Sequence, residues 1–211
     1  MMPLRILLAD DHQIVRQGLR AILEREGFQI VGEASDGREA IRLAHAYDPD
    51  LAVLDLCMPQ LNGLDAGRQI IQDRGRTGVI LLTMHAEEHQ IVAALRAGIR
   101  GYIVKTQAAA ELVQALREVA MGGIYLSPGV CGVVVGAYLA GSQVPADPLT
   151  PREREVLQLV AEGKTSKEVA SVLGLSVKTA ESYRSRIMEK LEVHETANLV
   201  RYAIRHGLIQ A

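Results

Sequence analysis

The chain has 211 residues, of which 48% are hydrophobic and 23% are charged, and its formal net charge is −2. This composition is that of an ordinary globular protein and excludes the disordered and fibrous classes. Two cysteines cannot form a disulfide scaffold, so we expect a reducing compartment and a cytoplasmic protein. Residues 1–149 carry a net charge of −4 and residues 150–211 one of +2, which suggests two modules with different partners.

The first module has the pattern of an α/β fold. Segments with helical periodicity separate five aliphatic runs that are typical of buried strands. Strands that alternate with helices predict a doubly wound parallel sheet of five strands with helices on both faces. The five runs are Leu4–Ala9, Gln29–Ala34, Leu51–Leu54, Val79–Thr83 and Gly101–Val104.

Polar residues stand at the carboxyl ends of these predicted strands, where such sheets bind their ligands. Asp10 and Asp11 follow the first strand, Asp55 follows the third, Thr83 ends the fourth and Lys105 follows the fifth. Crowded carboxylates repel one another unless a cation lies among them, and an oxygen-rich, incomplete shell suits Mg²⁺. The lysine and the hydroxyl can hold phosphate oxygens, so the pattern predicts a phosphoryl-transfer site with a carboxylate as nucleophile.

Four motifs of the first module carry a family resemblance: Ala9-Asp10-Asp11-His12, Val53-Leu54-Asp55-Leu56-Cys57-Met58-Pro59, Leu82-Thr83 and Gly101-Tyr102-Ile103-Val104-Lys105. This resemblance covers residues 3–122 and is to the receiver domain of two-component response regulators. It implies a flavodoxin-like fold and a sensor histidine kinase as the partner that phosphorylates Asp55. Many receivers have Pro after the lysine, whereas Thr106 follows it here.

The same resemblance implies roles for the other residues of the motifs. Asp10 and Asp11 would hold Mg²⁺, with Asp55 and the backbone carbonyl of Cys57 as further ligands. The side chains of Thr83 and Lys105 would contact the phosphoryl oxygens, and Tyr102 would be the aromatic switch that swings inward as Thr83 moves.

The second module has the pattern of four short helices. Thr150 as N-cap, Pro151 in the first turn and Glu153 three residues after the cap predict the start of the first helix. The second helix covers about Ser166 to Leu173, Ser176 caps a third that runs to about Leu191, and a fourth spans about Thr196 to His206. Two short helices joined by a tight turn that contains Gly174 indicate a helix-turn-helix.

Motifs of a second family run through residues 148–210: Leu149-Thr150-Pro151-Arg152-Glu153, Lys167-Glu168-Val169-Ala170, Ser176-Val177-Lys178-Thr179 and Ile187-Met188-Glu189-Lys190-Leu191, with Leu157, Gly163-Lys164 and Leu173 between them. Through these motifs the module resembles the LuxR-type DNA-binding domain, which implies double-stranded DNA as a partner. The resemblance implies that the third helix enters the major groove. Candidates for phosphate contacts are Lys178, Thr179, Arg184 and Lys190, and candidates for base edges are Glu181, Ser182, Ser185 and Arg186. Tyr183 stands where the family often has His.

Residues 123–147 join the two modules. Their sequence predicts a linker with one short apolar helix. No charged residue lies between Glu118 and Asp147, but the apolar part, Val130–Ala140, falls short of the roughly 20 residues of a membrane span, so we expect no membrane contact. Because flexible linkers are polar, this helix is expected to pack against the protein's own domains or a second protomer.

Together the two modules resemble the NarL/FixJ class of transcriptional response regulators. We therefore expect a regulator that binds DNA as a homodimer when Asp55 is phosphorylated, with at most slow self-dephosphorylation. One alternative is a Mg²⁺-dependent aspartyl-phosphate phosphatase, although such enzymes usually have a carboxylate where Cys57 stands. The other is a DNA binder that senses a ligand without phosphorylation, which the intact carboxylate cluster disfavours.

Overall fold

The computed structural model describes residues 2–73, 75–84, 87–139 and 147–209. The chain divides into two compact units, one built from most of residues 2–139 and the other from most of residues 147–209. Among the residues that the structure describes, no helix has the length and apolar character needed to cross a bilayer.

The first unit is a parallel sheet between two layers of helices. Its strands follow the order β2-β1-β3-β4-β5-β6, and every neighbouring pair is parallel. The strands are β1 Arg5–Ala9, β2 Gln29–Ala34, β3 Leu51–Asp55, β4 Gly78–Thr83, β5 Gly101–Val104 and β6 Tyr125–Leu126. The helices are α1 Gln13–Arg25, α2 Gly37–Tyr47, α3 Gly63–Asp73, α4 Glu88–Arg96, α5 Ala108–Ala120 and α6 Pro128–Leu139, with a 3₁₀ turn at Lys105–Gln107.

This architecture confirms the predicted doubly wound α/β fold, but the described part of the chain forms a sheet of six strands where the sequence predicts five. The additional strand, β6, lies in the segment that we interpreted as a linker. Backbone amides hold it to β5, since Tyr125 N donates to the carbonyl of Arg100 at 2.8 Å and Ser127 N to that of Tyr102 at 3.0 Å. Two residues are too few to show strand periodicity, so the sequence pattern did not reveal β6.

The central strands are buried on both faces, as their uninterrupted apolar sequences require. The side chains of Ile6, Leu7 and Leu8 in β1 are at most 1% exposed, and all five residues of β3 are buried. One core cluster joins these strands to Leu19 and Leu23 of α1, with further members from α5. A rigid sheet therefore carries the loops at its carboxyl edge.

Helix α6, predicted as the short apolar helix of the linker, packs within the first unit against α4 and β5. Val130 is fully buried, whereas Val135 and Leu139 are exposed. A Cβ added at Gly136 would meet nothing within 4 Å, so this side of the helix is open. The domain boundaries at 122 and 147 stay a prediction, and residues 140–146 of the proposed linker lie outside the described part of the chain.

Over the described residues 147–209 the second unit contains four helices, close to the predicted bounds: α7 Pro151–Ala161, α8 Ser166–Leu173, α9 Val177–Lys190 and α10 Thr196–Arg205. Thr150 and Glu153 form the predicted capping box at the start of α7, and Ser176 caps α9. Gly174 ends α8 at φ 63°, the left-handed region that glycine enters without steric cost, which permits the tight turn into α9. Leu157, Ala180, Ile187 and Leu199 are central to the core of this unit.

Candidate functional site

The register of the sheet brings the predicted site residues of the first unit to one edge. Ala9 of β1 pairs with Leu54 of β3, so Asp10 and Asp55 leave the sheet side by side. On the other side of β3, Thr83 at the end of β4 pairs with Val104, the residue before Lys105. Residues that are far apart in sequence therefore meet because parallel strands end at the same edge.

Lys105 makes ion pairs with two of the carboxylates. Its Nζ lies 2.7 Å from Asp10 Oδ2 and 2.9 Å from Asp55 Oδ1. Burial acts to lower the pKa of Lys105, but the two carboxylates outweigh it and raise the pKa above the ordinary lysine value. Lys105 therefore stays a cation between them.

Asp55 is held in an environment that opposes its negative charge. Only 1% of the residue is exposed, and this burial raises the pKa of Asp55 to about 6; Lys105 lowers it in part, while Asp10 and Asp11 add repulsion. Within the described residues Asp55 Oδ2 has no hydrogen-bond partner. Lys105 compensates only part of the unfavourable energy of burying this negative charge, so an added cation at Oδ2 would stabilise the ionised carboxylate further.

The residues present fit a hard divalent cation. Single ligand atoms of Asp10, Asp11, His12 and Asp55 all lie within 4.8 Å of one another. Asp10 and Asp55 are buried, whereas Asp11 and His12 are exposed and give the cluster an open side. Carboxylates with room for water are the surroundings that Mg²⁺ favours.

His12 contacts both neighbouring carboxylates. Its Nδ1 lies 2.7 Å from Asp11 Oδ1 and 3.3 Å from Asp10 Oδ1, and its backbone N–H donates to Asp10 Oδ1 at 2.8 Å. The amide thus fixes the orientation of the Asp10 carboxylate. The sequence pattern predicts no role for His12, because its contacts depend on the turn after β1.

The remaining predicted residues of this unit lie around the same edge. Thr83 is 4% exposed at the end of β4. Tyr102 in the neighbouring strand is 1% exposed, so its ring lies inside the fold, and burial raises the pKa of its hydroxyl. Cys57 is half-buried in the turn that follows Asp55. The roles that the sequence assigned to these three residues stay predictions.

Gly63 is a site residue that the sequence analysis missed. Its N–H donates to the carbonyl of Leu56 at 2.8 Å, and a Cβ at this position would lie 2.1 Å from the carbonyl oxygen of Asp55. Any side chain here would push the backbone of Asp55 out of place. A glycine that opens a helix shortly after a strand is the sequence signal for such a close approach.

Helix α9 presents most of the predicted DNA-binding residues on its exposed side. Ala180 and Ile187 are buried and Tyr183 is half-buried, and their spacing of three and four residues places all three on one face of the helix. The Ser176 hydroxyl accepts from Thr179 N at 3.1 Å and lies 2.8 Å from Thr179 Oγ1, so Thr179 takes part in the cap. The exposed residues among the candidates are Lys178, Thr179, Glu181, Ser182, Ser185, Arg186 and Lys190.

Besides Thr179, two other candidates for phosphate contacts, Arg184 and Lys190, already have partners within the unit. Arg184 Nη2 donates to Thr196 Oγ1 at 2.5 Å. Lys190 Nζ donates to Glu153 Oε2 at 2.7 Å and to the carbonyl of Pro148. Burial acts to raise the pKa of Glu153, but its bonds to Lys190 and Thr150 outweigh it and lower the pKa. Lys190 therefore has a structural task, and its contact with DNA stays a prediction.

Comparisons with known proteins match both units. The family described as response regulator receiver domain matches residues 6–117, and the luxR family of bacterial regulatory proteins matches residues 147–203. Transcriptional regulatory protein LiaR of Bacillus subtilis is 36% identical over 209 residues, which are 98% of this chain and 99% of LiaR. Response regulator protein VraR of Staphylococcus aureus is 35% identical over 99% of this chain and 100% of VraR.

A solved structure is similar over both units as well. RcsB from Salmonella enterica serovar Typhimurium, bound to promoter rprA in the presence of the phosphomimetic BeF3⁻, is 30% identical with a TM-score of 0.59, over 94% of this chain and 97% of RcsB. The chain therefore belongs to the NarL/FixJ class of two-component response regulators, DNA-binding transcriptional regulators that join a receiver domain to a LuxR-type helix-turn-helix domain.

Proposed function

We propose that Asp55 accepts a phosphoryl group from a sensor histidine kinase, with Mg²⁺ bound by Asp10, Asp11, Asp55 and the backbone carbonyl of Cys57. The observation that carries the proposal is the buried Asp55 carboxylate, with Lys105 at Oδ1 and no described hydrogen-bond partner at Oδ2. An Asp55 oxygen forms the new P–O bond as the P–N bond of the phosphohistidine breaks. When bound, Mg²⁺ supplies charge neutralisation for the transferring group.

The phosphoryl group then changes the charge at the edge of the sheet. It carries nearly two negative charges where the ionised Asp55 carboxylate carried one, and its oxygens attract the ammonium of Lys105 and the hydroxyl of Thr83. Thr83 is the neighbour of Val104 across the β4–β5 pair, so its movement reaches the strand that carries Tyr102. We propose that the buried ring of Tyr102 secures the activated arrangement.

The output of this switch is DNA binding by a homodimer. Helix α9 enters the major groove, where Glu181, Ser182, Ser185 and Arg186 face base edges. Lys178, Thr179, Arg184 and Lys190 contact phosphates, with Lys190 and Arg184 exchanging part of their present bonds for these contacts. Support comes from RcsB, the relative bound to a promoter in the presence of a phosphomimetic. A protein that binds DNA and receives its phosphoryl group from a histidine kinase works where both partners are present. We therefore propose that this protein acts in the cytoplasm.

The test measures labelling and DNA binding in the same samples. Purified protein with Mg²⁺ and a small phosphodonor should take up about one phosphoryl group per chain and lose it slowly. Selection from a random-sequence DNA pool should recover a common motif, with tighter binding and a larger oligomer after phosphorylation. Fast repeated turnover of the donor would indicate the phosphatase instead, and DNA binding with no labelling would indicate the ligand-sensing regulator.

Asp55→Asn is the decisive variant, because the amide is nearly isosteric but a poor nucleophile. It should remove the acid-labile label while the circular dichroism spectrum stays that of the wild type. Undiminished labelling of Asp55→Asn would show that another residue accepts the phosphoryl group.

A further inference from the structure

The guanidinium of Arg186 is held against the surface of α9 by two side chains of the preceding helical turn. Its Cζ lies 5.5 Å from the centroid of the Tyr183 ring, and its Nη2 donates to Ser182 Oγ at 3.3 Å. These residues precede Arg186 by three and four positions, the spacings at which helix side chains meet. Arg186 therefore has a defined position before any partner arrives.

The ring that supports Arg186 is itself fixed. Tyr183 is half-buried and packs against the core cluster of the second unit, whereas Ser182 and Arg186 are exposed. One face of the helix thus anchors the ring, and the charged group extends from it toward the outer side. The positions of Arg186 and Tyr183 on α9 are consequently coupled.

The contacts of Arg186 differ from those of two other cations in the same unit, Lys190 and Arg154. Lys190 and Arg154 each lie within 3 Å of a carboxylate, of Glu153 and Asp147 respectively. For Arg186 the described residues provide an aromatic ring and a hydroxyl, and no carboxylate within 4.0 Å. A neutral support orders the guanidinium while leaving its charge and its planar hydrogen-bonding edge for a ligand.

We propose that Tyr183 is a positioning residue for DNA recognition, which holds Arg186 so that its guanidinium reads the edge of a guanine. The inference rests on the proposed function, in which α9 enters the major groove. Arginine binds the O6 and N7 atoms of guanine with two parallel hydrogen bonds, which requires a defined plane. A long flexible side chain loses conformational entropy when it binds, and a support that orders it beforehand lowers that cost.

The proposal predicts a coupling between the two residues. A cation over an exposed ring is worth about a two- to fivefold change in an equilibrium constant. Tyr183→Leu should therefore weaken binding to the preferred duplex about two- to fivefold, and it should relax the preference at the base pair that Arg186 reads. Tyr183→Phe keeps the ring and should bind as the wild type does. In an Arg186→Ala background, Tyr183→Leu should change nothing further.

The experiment uses the full chain with Mg²⁺ and beryllofluoride, and a fluorescent duplex recovered by selection from a random pool. Affinities are measured by anisotropy for the wild type, the single variants and the double variant Tyr183→Leu/Arg186→Ala. A second set of duplexes replaces each base pair of the motif in turn. Tyr183→Met gives an independent loss of the ring, and Val193→Ala serves as a control that removes packing from the same core without touching Arg186.

The outcomes distinguish a positioning role of Tyr183 from a purely structural one. Loss of affinity by Tyr183→Leu that persists in the Arg186→Ala background, or that Val193→Ala reproduces at equal thermal stability, would mean that Tyr183 acts through the fold alone. If Arg186→Ala keeps full affinity and preference, the positioning role is wrong, while DNA binding by α9 stands. A wild-type protein that binds no duplex in any state would overturn the proposed function together with this inference.

Discussion

Replacing Asp55 by Asn should stabilise the first unit at neutral pH and above. The buried carboxylate has a pKa of about 6 in the folded protein, against 3.8 as its ordinary value, and burial is the main cause. A carboxyl group whose pKa is raised by folding binds protons more tightly in the folded state, so its contribution to stability is lost as the pH rises. Asparagine resembles the neutral carboxyl group and does not ionise, so it avoids this loss.

The magnitude follows from the two pKa values. One pKa unit corresponds to about 1.4 kcal/mol, so Asp55→Asn should raise the free energy of unfolding by about 3 kcal/mol at pH 8. The attraction of Lys105 is already contained in the pKa of Asp55, and Lys105 keeps its ion pair with Asp10 in the variant. The gain should be about half as large at pH 5 and should disappear below about pH 4.

Calorimetry in the presence of EDTA can measure this effect for the first unit separately if the two units unfold in distinct transitions. For a unit of this size, 3 kcal/mol corresponds to a rise in Tm of about 6–12 °C. Asp73→Asn, which removes an exposed carboxylate that contacts His45, is the control and should change the free energy by less than about 0.5 kcal/mol. Equal stabilities of the wild type and Asp55→Asn at pH 8 would refute the claim that the buried charge of Asp55 destabilises the fold when no cation is bound.

Three further variants test other parts of the molecule. Gly63→Ala should lower the free energy of unfolding by about 1–3 kcal/mol and slow phosphodonor labelling, because its Cβ would press on the Asp55 carbonyl. The control is Gly132→Ala, whose Cβ would meet nothing within 4 Å, and it should unfold at the wild-type temperature or a higher one. Asp11→Ala should raise the Mg²⁺ concentration needed for labelling, and excess Mg²⁺ should partly rescue it; an unchanged Mg²⁺ dependence would remove Asp11 from the ligand set. Lys178→Ala should weaken preferred and scrambled duplexes alike and lower the salt slope by about one, and a selective loss would make it a base contact.

The sequence predicted the fold because most elements carry their own local signal. The uninterrupted apolar runs of β1 and β4 are typical of buried strands, and Thr150 and Ser176 cap α7 and α9 where predicted. Strand β6 carries no such signal. Its two residues join the sheet because the backbone N–H and C=O groups at the edge of β5 need hydrogen-bond partners. The signal for β6 therefore lies in the neighbouring strand and not in its own residues.

The candidate site was predictable to the extent that topology determines it. Once the strands are parallel, residues that follow them must meet, and Asp10, Asp55 and Lys105 are in contact for this reason. The close approach of Gly63 to Asp55 depends instead on the path of the loop between β3 and α3. That path follows from packing among many residues, which a linear pattern does not contain.

On α9 the sequence identified which residues are exposed but not which are committed to other contacts. Lys190 and Arg186 are both cations on one amphipathic helix, and a periodicity argument treats them alike. The fold separates them, because Lys190 pairs with the buried Glu153 of α7 while Arg186 is supported by a ring of its own helix. Removing the partner of a buried carboxylate leaves an uncompensated charge, so Lys190→Ala should affect stability before it affects DNA binding. Arg186→Ala leaves no buried charge behind, so its effect should fall on recognition.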